Sequence, residues 1–226
     1  MSLLPPRDLY QYRGHVQSTA PAAEPVTVTE LRDYLRETAT GLPDSVAEDL
    51  IAEAREMIEN NTGLALITQE WTLALDHWPN GASEPWWDGV QQGAISELYS
   101  GRYARSLDLP RYPLQAVDSV TVYDEASNST SVTVSTVFDV DTYRTPGRIT
   151  LKSGQTWPVA LRAQNAIIVV YTSGYGDAST DVPAALRRAV KQVAAYLYTH
   201  RGDECDMGDA LAQAGSILDQ YMVRRV

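Results

Sequence analysis

A chain of 226 residues with 44% hydrophobic content and a formal net charge of -11 can form one large domain, or a core domain with extensions. That acidity argues against sequence-independent DNA binding, which needs a basic footprint, although an acidic wall can stand beside DNA without holding it. The single cysteine, Cys205, excludes an intrachain disulfide and any cysteine-based metal cluster.

Thirteen tyrosines and five tryptophans stand against one phenylalanine. Both residue types join apolar area to a hydrogen-bonding tip, which suits contact surfaces and favours a protein that assembles. Residues 1–13 hold no apolar segment of signal-peptide type, and no run reaches membrane-spanning length. A soluble intracellular protein of a reducing compartment is expected.

Residues 1–24 read as an extension without periodicity, holding Pro5, Pro6 and Pro21. It is either a disordered leader or an arm that orders on a neighbouring subunit through Leu9, Tyr10 and Tyr12. A first helix is predicted over 27–37. Thr27 and Glu30 have capping-box spacing, and Leu31, Tyr34 and Leu35 supply the buried stripe. After a loop, Ser45 and Glu48 repeat that spacing and open a second helix over 45–61. Leu50, Ile51, Ala54, Met57 and Ile58 face inward, Gly63 stops it, and Glu53, Glu56 and Glu59 form its expected wet side.

From Thr68 the period becomes two, and a β-rich part is predicted over 67–172. Trp71, Leu73 and Leu75 alternate with Thr72 and Ala74 as a half-buried strand. The polar loop over 79–93 carries Trp86 and Trp87, which suit stacking on a sugar or base and equally suit packing on the core or on a neighbouring subunit. Residues 95–103 are ambiguous between a short strand and a turn. Pro110 and Pro113 keep 107–113 extended but out of a central strand. Val120 and Val122 mark a strand over 117–123, residues 124–129 a turn, and Val132, Val134 and Val137 an answering strand. Further short strands are expected over 139–143, 148–151 and 166–171.

The longest clean pattern is a helix over 183–201. Leu186, Val190, Val193 and Leu197 share one face, Pro183 suits the first turn, and Gly202 offers the stop. Arg187, Arg188 and Lys191 leave the other faces wet or free for a partner. The tail, 203–226, holds Leu211, Ile217, Leu218, Tyr221 and Met222 in a short helical pattern and ends in Arg224 and Arg225. A basic, apolar terminal peptide in an acidic chain suits an acidic groove on a partner.

The sequence gives no motif for catalysis. His15, His77 and His200 lie in unrelated contexts, without the spacing of a metal site. Asp139 and Asp141 share a strand face, an arrangement that caps a turn more readily than it holds calcium. The Ser173-Gly174-Tyr175-Gly176 loop lacks a lysine and is followed by Asp177 and Asp181, so a tight turn accounts for it better than phosphate binding. Cys205 has no evident activating base. No catalytic residue, metal or cofactor is expected.

Several segments in order carry a family resemblance: Pro25-Val26-Thr27, Thr62-Gly63, Ile67-Thr68-Gln69-Glu70-Trp71, Leu109-Pro110-Arg111-Tyr112-Pro113-Leu114, and Val117-Asp118-Ser119-Val120. Pro146-Gly147-Arg148-Ile149, Trp157-Pro158, Tyr171 to Gly176 and Val182-Pro183 follow. Over about residues 25–200 the chain resembles the head–tail connectors, or adaptors, of tailed phages, including those of gene transfer agents.

The resemblance implies an α+β fold, a helical bundle of three or more helices with an antiparallel β-rich part between the second helix and the long C-terminal one. After the N-terminal extension (1–24) read from the residues, it implies a connector core (25–202) and a C-terminal portal-binding tail (203–226). It also implies a structural virion protein in the neck, assembled in the host cytoplasm. Such proteins form a ring beneath the portal, usually of twelve copies, which extends the DNA channel and docks the next connector or stopper protein. DNA passes without specific binding. Ile217, Leu218, Tyr221, Met222, Arg224 and Arg225 become portal-contact candidates. Trp86, Trp87, Tyr10 and Tyr12 become candidates for contacts between subunits. The leader before Pro25 and the Trp86-Trp87 loop depart from the family pattern. Two other classes stay open: a ligand- or carbohydrate-binding module of a virion built on Trp86 and Trp87, and a carboxylate-based hydrolase.

Overall fold

The computed structural model describes residues 14–78, 105–201 and 207–223. Helix and sheet are mixed, α+β as the sequence predicts, and the chain divides into two compact units. A β unit takes the described parts of 1–18, 70–109 and 114–172, and a helical unit takes 19–69, 110–113 and the described parts of 173–226.

In the helical unit, α1 (Val28–Leu35) opens on the predicted capping box. Thr27 Oγ1 accepts from the Glu30 N–H at 3.2 Å, and the Glu30 carboxylate accepts from the Thr27 N–H at 3.0 Å. Leu31 is fully buried, but Tyr34 is 46% exposed. An eight-residue helix turns a narrower stripe inward than the pattern implied. Helix α2 (Asp44–Thr62) starts directly after Pro43, which makes no side-chain cap. Ser45 and Glu48 therefore lie inside the helix, and the second expected capping box does not form. Gly63 ends it in the left-handed region at φ 80, where a Cβ would stand 3.1 Å from the Tyr112 ring.

The long helix α3 (Ala184–Thr199) buries Leu186, Ala189, Val190, Val193 and Ala194. Two short helices follow, α4 (Met207–Ala212) and α5 (Gly215–Tyr221). Helices α2 and α3 pack along each other, and α1, α4 and α5 each pack on that pair. Their shared core is almost wholly aliphatic.

The strands are β1 (Gly14–Thr19), β2 (Gln69–Leu75), β3 (Ser106–Asp108), β4 (Leu114–Tyr123), β5 (Ser129–Val132), β6 (Phe138–Asp141), β7 (Arg148–Leu151) and β8 (Ile167–Ser173). Five form one sheet in the order β1-β2-β8-β4-β5, and three form a second in the order β3-β7-β6. Alternation is strict in β2, where Trp71, Leu73 and Leu75 point inward, and in β8, where Ile167, Val169 and Tyr171 do.

Two expectations are corrected here. Residues 14–19, inside the predicted extension, form an edge strand. His15 holds it, with Nε2 2.8 Å from the Tyr171 hydroxyl and the ring stacked on Trp71 at 4.6 Å. The strand that answers β4 is β5, with Val132 opposite Val120, while Val134–Val137 is a single helical turn. The three-residue step from Val134 to Val137 already breaks a period of two. Asn128 closes the intervening turn by donating its backbone and side-chain N–H groups to Asp124 at 2.8 and 2.9 Å. Those bonds hold the Asp124 carboxyl below the usual carboxylate range. The sole phenylalanine, Phe138, completes a ring cluster with Trp78 and Trp157, whose centroids are 4.5 Å apart.

Candidate functional site

The portal-contact candidates separate on inspection. Leu218 is 3% exposed and shares the helical core with Ala210 and Ala214, while Ile217 and Tyr221 pack half-buried against it. Met222 caps the end of α5, its N–H bonding the Leu218 carbonyl at 3.0 Å. The structure therefore does not set this tail apart from the helical core: the Leu218 side chain is already occupied within the chain. Arg224 and Arg225 lie outside the described residues, as do Tyr10, Tyr12, Trp86, Trp87 and Cys205.

The Ser173–Gly176 loop is a tight turn whose backbone is bonded within the chain. The Gly174 N–H donates to Pro113 O at 2.9 Å, and Gly176 O accepts from the Thr68 N–H at 3.0 Å. Gly174 sits at φ 145, and a Cβ there would lie 2.6 Å from the Ile67 carbonyl carbon. Asp141 caps a turn as expected, accepting from the Tyr143 and Arg144 N–H groups and pairing with Arg148 at 3.1 Å. Among the described residues, no three His, Cys, Asp or Glu side chains gather as a metal site.

One polar cluster departs from the sequence expectation. Glu59, placed on the wet side by its helical position, is 4% exposed, and Arg55 is 5% exposed. Arg55 pairs with Glu59 at 3.0 Å and with Glu24 at 2.9 Å. Glu59 also accepts from the Leu66 N–H at 2.7 Å and from the Gln69 side chain at 2.8 Å. Burial pushes the Glu59 carboxyl up, against the Leu66 N–H, Arg55 and Gln69, which all favour the carboxylate. The cluster ties the end of α2 to the segment that enters β2. A signal for it does exist: Arg55 falls between Ile51 and Ile58 on the inward stripe, where a guanidinium requires a buried carboxylate.

The outward faces of the two long helices differ in sign. On α2, Asp49, Glu53, Glu56 and Asn60 are exposed at spacings of four, three and four, with Glu48 beside them. The one cation of α2, Arg55, is buried. On α3 the outward stripe carries the exposed Arg188 and Thr199 and the half-buried Lys191 and Ala195, and the helix has no acidic residue. Arg187 is engaged by Glu30 at 3.6 Å.

No family model matches the chain, and no curated protein matches it. Solved structures do. A chain of "Virion of native gene transfer agent (GTA) particle" is 21% identical at a TM-score of 0.70, covering 94% of this chain and 96% of that one. A chain of "Neck of empty GTA particle computed with C6 symmetry" is 23% identical at a TM-score of 0.71, with coverages of 94% and 97%. A chain of "Neck of native GTA particle computed with C12 symmetry" is 23% identical at a TM-score of 0.65, with the same coverages. The chain has the fold of these particle components over 94% of its length, in agreement with the resemblance carried by the sequence segments.

Proposed function

We propose that this chain is a structural head–tail connector of a gene transfer agent or tailed-phage particle, sited in the neck and working without catalysis. One observation carries the reading: the fold match spans 94% of this chain and 97% of a chain from a neck computed with C12 symmetry. In the proposed arrangement copies of the chain form a ring of twelve beneath the portal. The ring extends the DNA channel and offers its far side to the next connector or stopper protein. The net charge of -11 suits a channel wall that lets DNA pass by repelling its phosphates. Arg224 and Arg225 remain suited to portal carboxylates, since charge-assisted bonds from arginine are strong and oriented. With Leu218 committed to the chain's own core, the half-buried Ile217, Tyr221 and Met222 are left with those arginines as the portal-contact candidates.

The test is a reconstruction of particles from a producing host. The chain should occupy the neck in a closed ring, and deleting its gene should leave filled heads that acquire no tails. Particles that lack the chain, or hold one copy, would overturn the reading.

A further inference from the structure

We propose that the contact between neighbouring copies joins the basic face of α3 on one to the acidic face of α2 on the next, with Arg188 and Lys191 opposite Asp49, Glu53 and Glu56. This rests on the ring reading above and specifies the surface that closes the ring.

Three observations carry it. Both helices bury one stripe in the same core, Ile51, Ala54 and Ile58 from α2 and Leu186, Val190 and Val193 from α3. Their outward stripes therefore turn away from each other, so Lys191 and Glu53 meet only between copies. A closed ring with more than two members needs two different, complementary patches on each subunit. These two faces lie within one compact unit and meet that requirement.

The second observation is charge. Glu48, Asp49 and Glu53 make no ion pair among the described residues, and neither do Arg188 and Lys191, while Glu56 is shared with the buried Arg55 at 3.5 Å. Like charges one helical turn apart, as at Asp49 and Glu53, oppose the helix that holds them. A neighbour's cations relieve that repulsion. Third, Lys152 and Lys191 are the only lysines in the sequence. Lys152 is bonded to Ser135 O at 2.6 Å, which leaves Lys191 as the lysine ammonium without a bond among the described residues.

That last fact makes the contact directly measurable. A mixture of isotopically labelled and unlabelled full-length chain, concentrated at low salt or taken as assembled rings, is treated with a zero-length carbodiimide cross-linker. The expected product is an amide between Lys191 of one copy and Asp49, Glu53 or Glu56 of another, lost in Lys191→Arg. Arg188→Glu with Lys191→Glu should weaken self-association roughly tenfold or more, as should Asp49→Lys with Glu53→Lys. The chain carrying all four changes should recover, because the faces have exchanged sign. Asp49, Glu53 and Arg188 are exposed and Lys191 is half-buried, and circular dichroism checks that each variant is folded.

Rings that form without a Lys191 link, or a four-fold variant that stays defective, overturn this contact while the ring reading stands. Loss of DNA-cellulose retention with self-association intact assigns the α3 cations to a polyanion and overturns it too. A chain that forms no ring in solution or in particles removes the ring reading itself and this contact with it.

Discussion

In the helical unit the core is built from Leu31, Ile51, Ile58, Leu186, Val190 and Val193, with the Arg55–Glu59 cluster at its margin. In the β unit rings finish the core: Trp78, Trp157 and Phe138 form one cluster, and Trp71 lies under His15 in another. The difference shows where information about assembly resides. Aromatic residues, whose abundance suggested contact surfaces, are used inside the β unit wherever the structure describes its tryptophans. The helices need only one aliphatic stripe each. Their remaining faces are free to be sorted by charge, all acidic on exposed α2 and all basic on α3. On α2 and α3 the outward surface is therefore distinguished by charge.

The largest expected effect comes from the polar cluster in the otherwise aliphatic unit. Glu59→Ala leaves the Arg55 guanidinium, with 6% of its side chain exposed, facing Glu24 and the exposed Glu56 only, and strips the Leu66 N–H and Gln69 of their acceptor. Breaking a buried pair on one side costs about 3–5 kcal/mol. Urea denaturation measures it. A loss below about 1 kcal/mol would mean that water reaches Arg55 and that the cluster is not a buried one.

Next in size is the boundary between core and tail. Leu218→Ala removes a fully packed side chain from the helical core and should cost about 3 kcal/mol, within the usual range for such truncations. The sequence pattern placed the end of the core near Gly202. If the Leu218→Ala midpoint equals that of the parent chain, the tail is separable after all.

The two units also differ in how far they can be read from sequence. α1, α2 and α3 were legible because capping at Thr27, the stops at Gly63 and beyond Thr199, and the three-to-four spacing of apolar residues are local signals. β2, β4 and β8 were legible for the same reason at a period of two. Beside the local misreadings at Ser45 and at Val134–Val137, two failures were non-local. Gly14–Thr19 is a strand because His15 finds Trp71 and Tyr171, the latter 156 positions away, and nothing near it in sequence marks that pairing. Glu59 is inside because Arg55, Leu66 and Gln69 converge on it, while a glutamate read alone belongs to the surface. The candidate assembly faces were half legible: Arg188 and Lys191 stood out on a helix free of acids, but their counterpart on α2 emerges only once both buried stripes are known.

The smallest expected effect is a pH dependence confined to the helical unit. Tyr175 packs half-buried against the aliphatic core. Its hydroxyl is pushed up to about 12, first by burial and then by the charges that Tyr221 and Tyr112 acquire at high pH. An ordinary tyrosine titrates near 10.0. The folded state thus keeps this proton after the unfolded chain has lost it. By linkage the contribution is fully present below pH 10.0 and is lost as pH rises toward about 12. Since the side chain is half in solvent, screening reduces the effect to on the order of 1 kcal/mol. Other groups titrate in the same window, so the informative quantity is a difference. Urea midpoints of the parent chain and of Tyr175→Phe are compared on either side of pH 10.0. The gap between them should change as pH rises, because only the parent loses this term. A gap that stays constant would show that Tyr175 ionises as freely in the folded chain as in the unfolded one, and that its ring, not its hydroxyl, is what the helical core encloses.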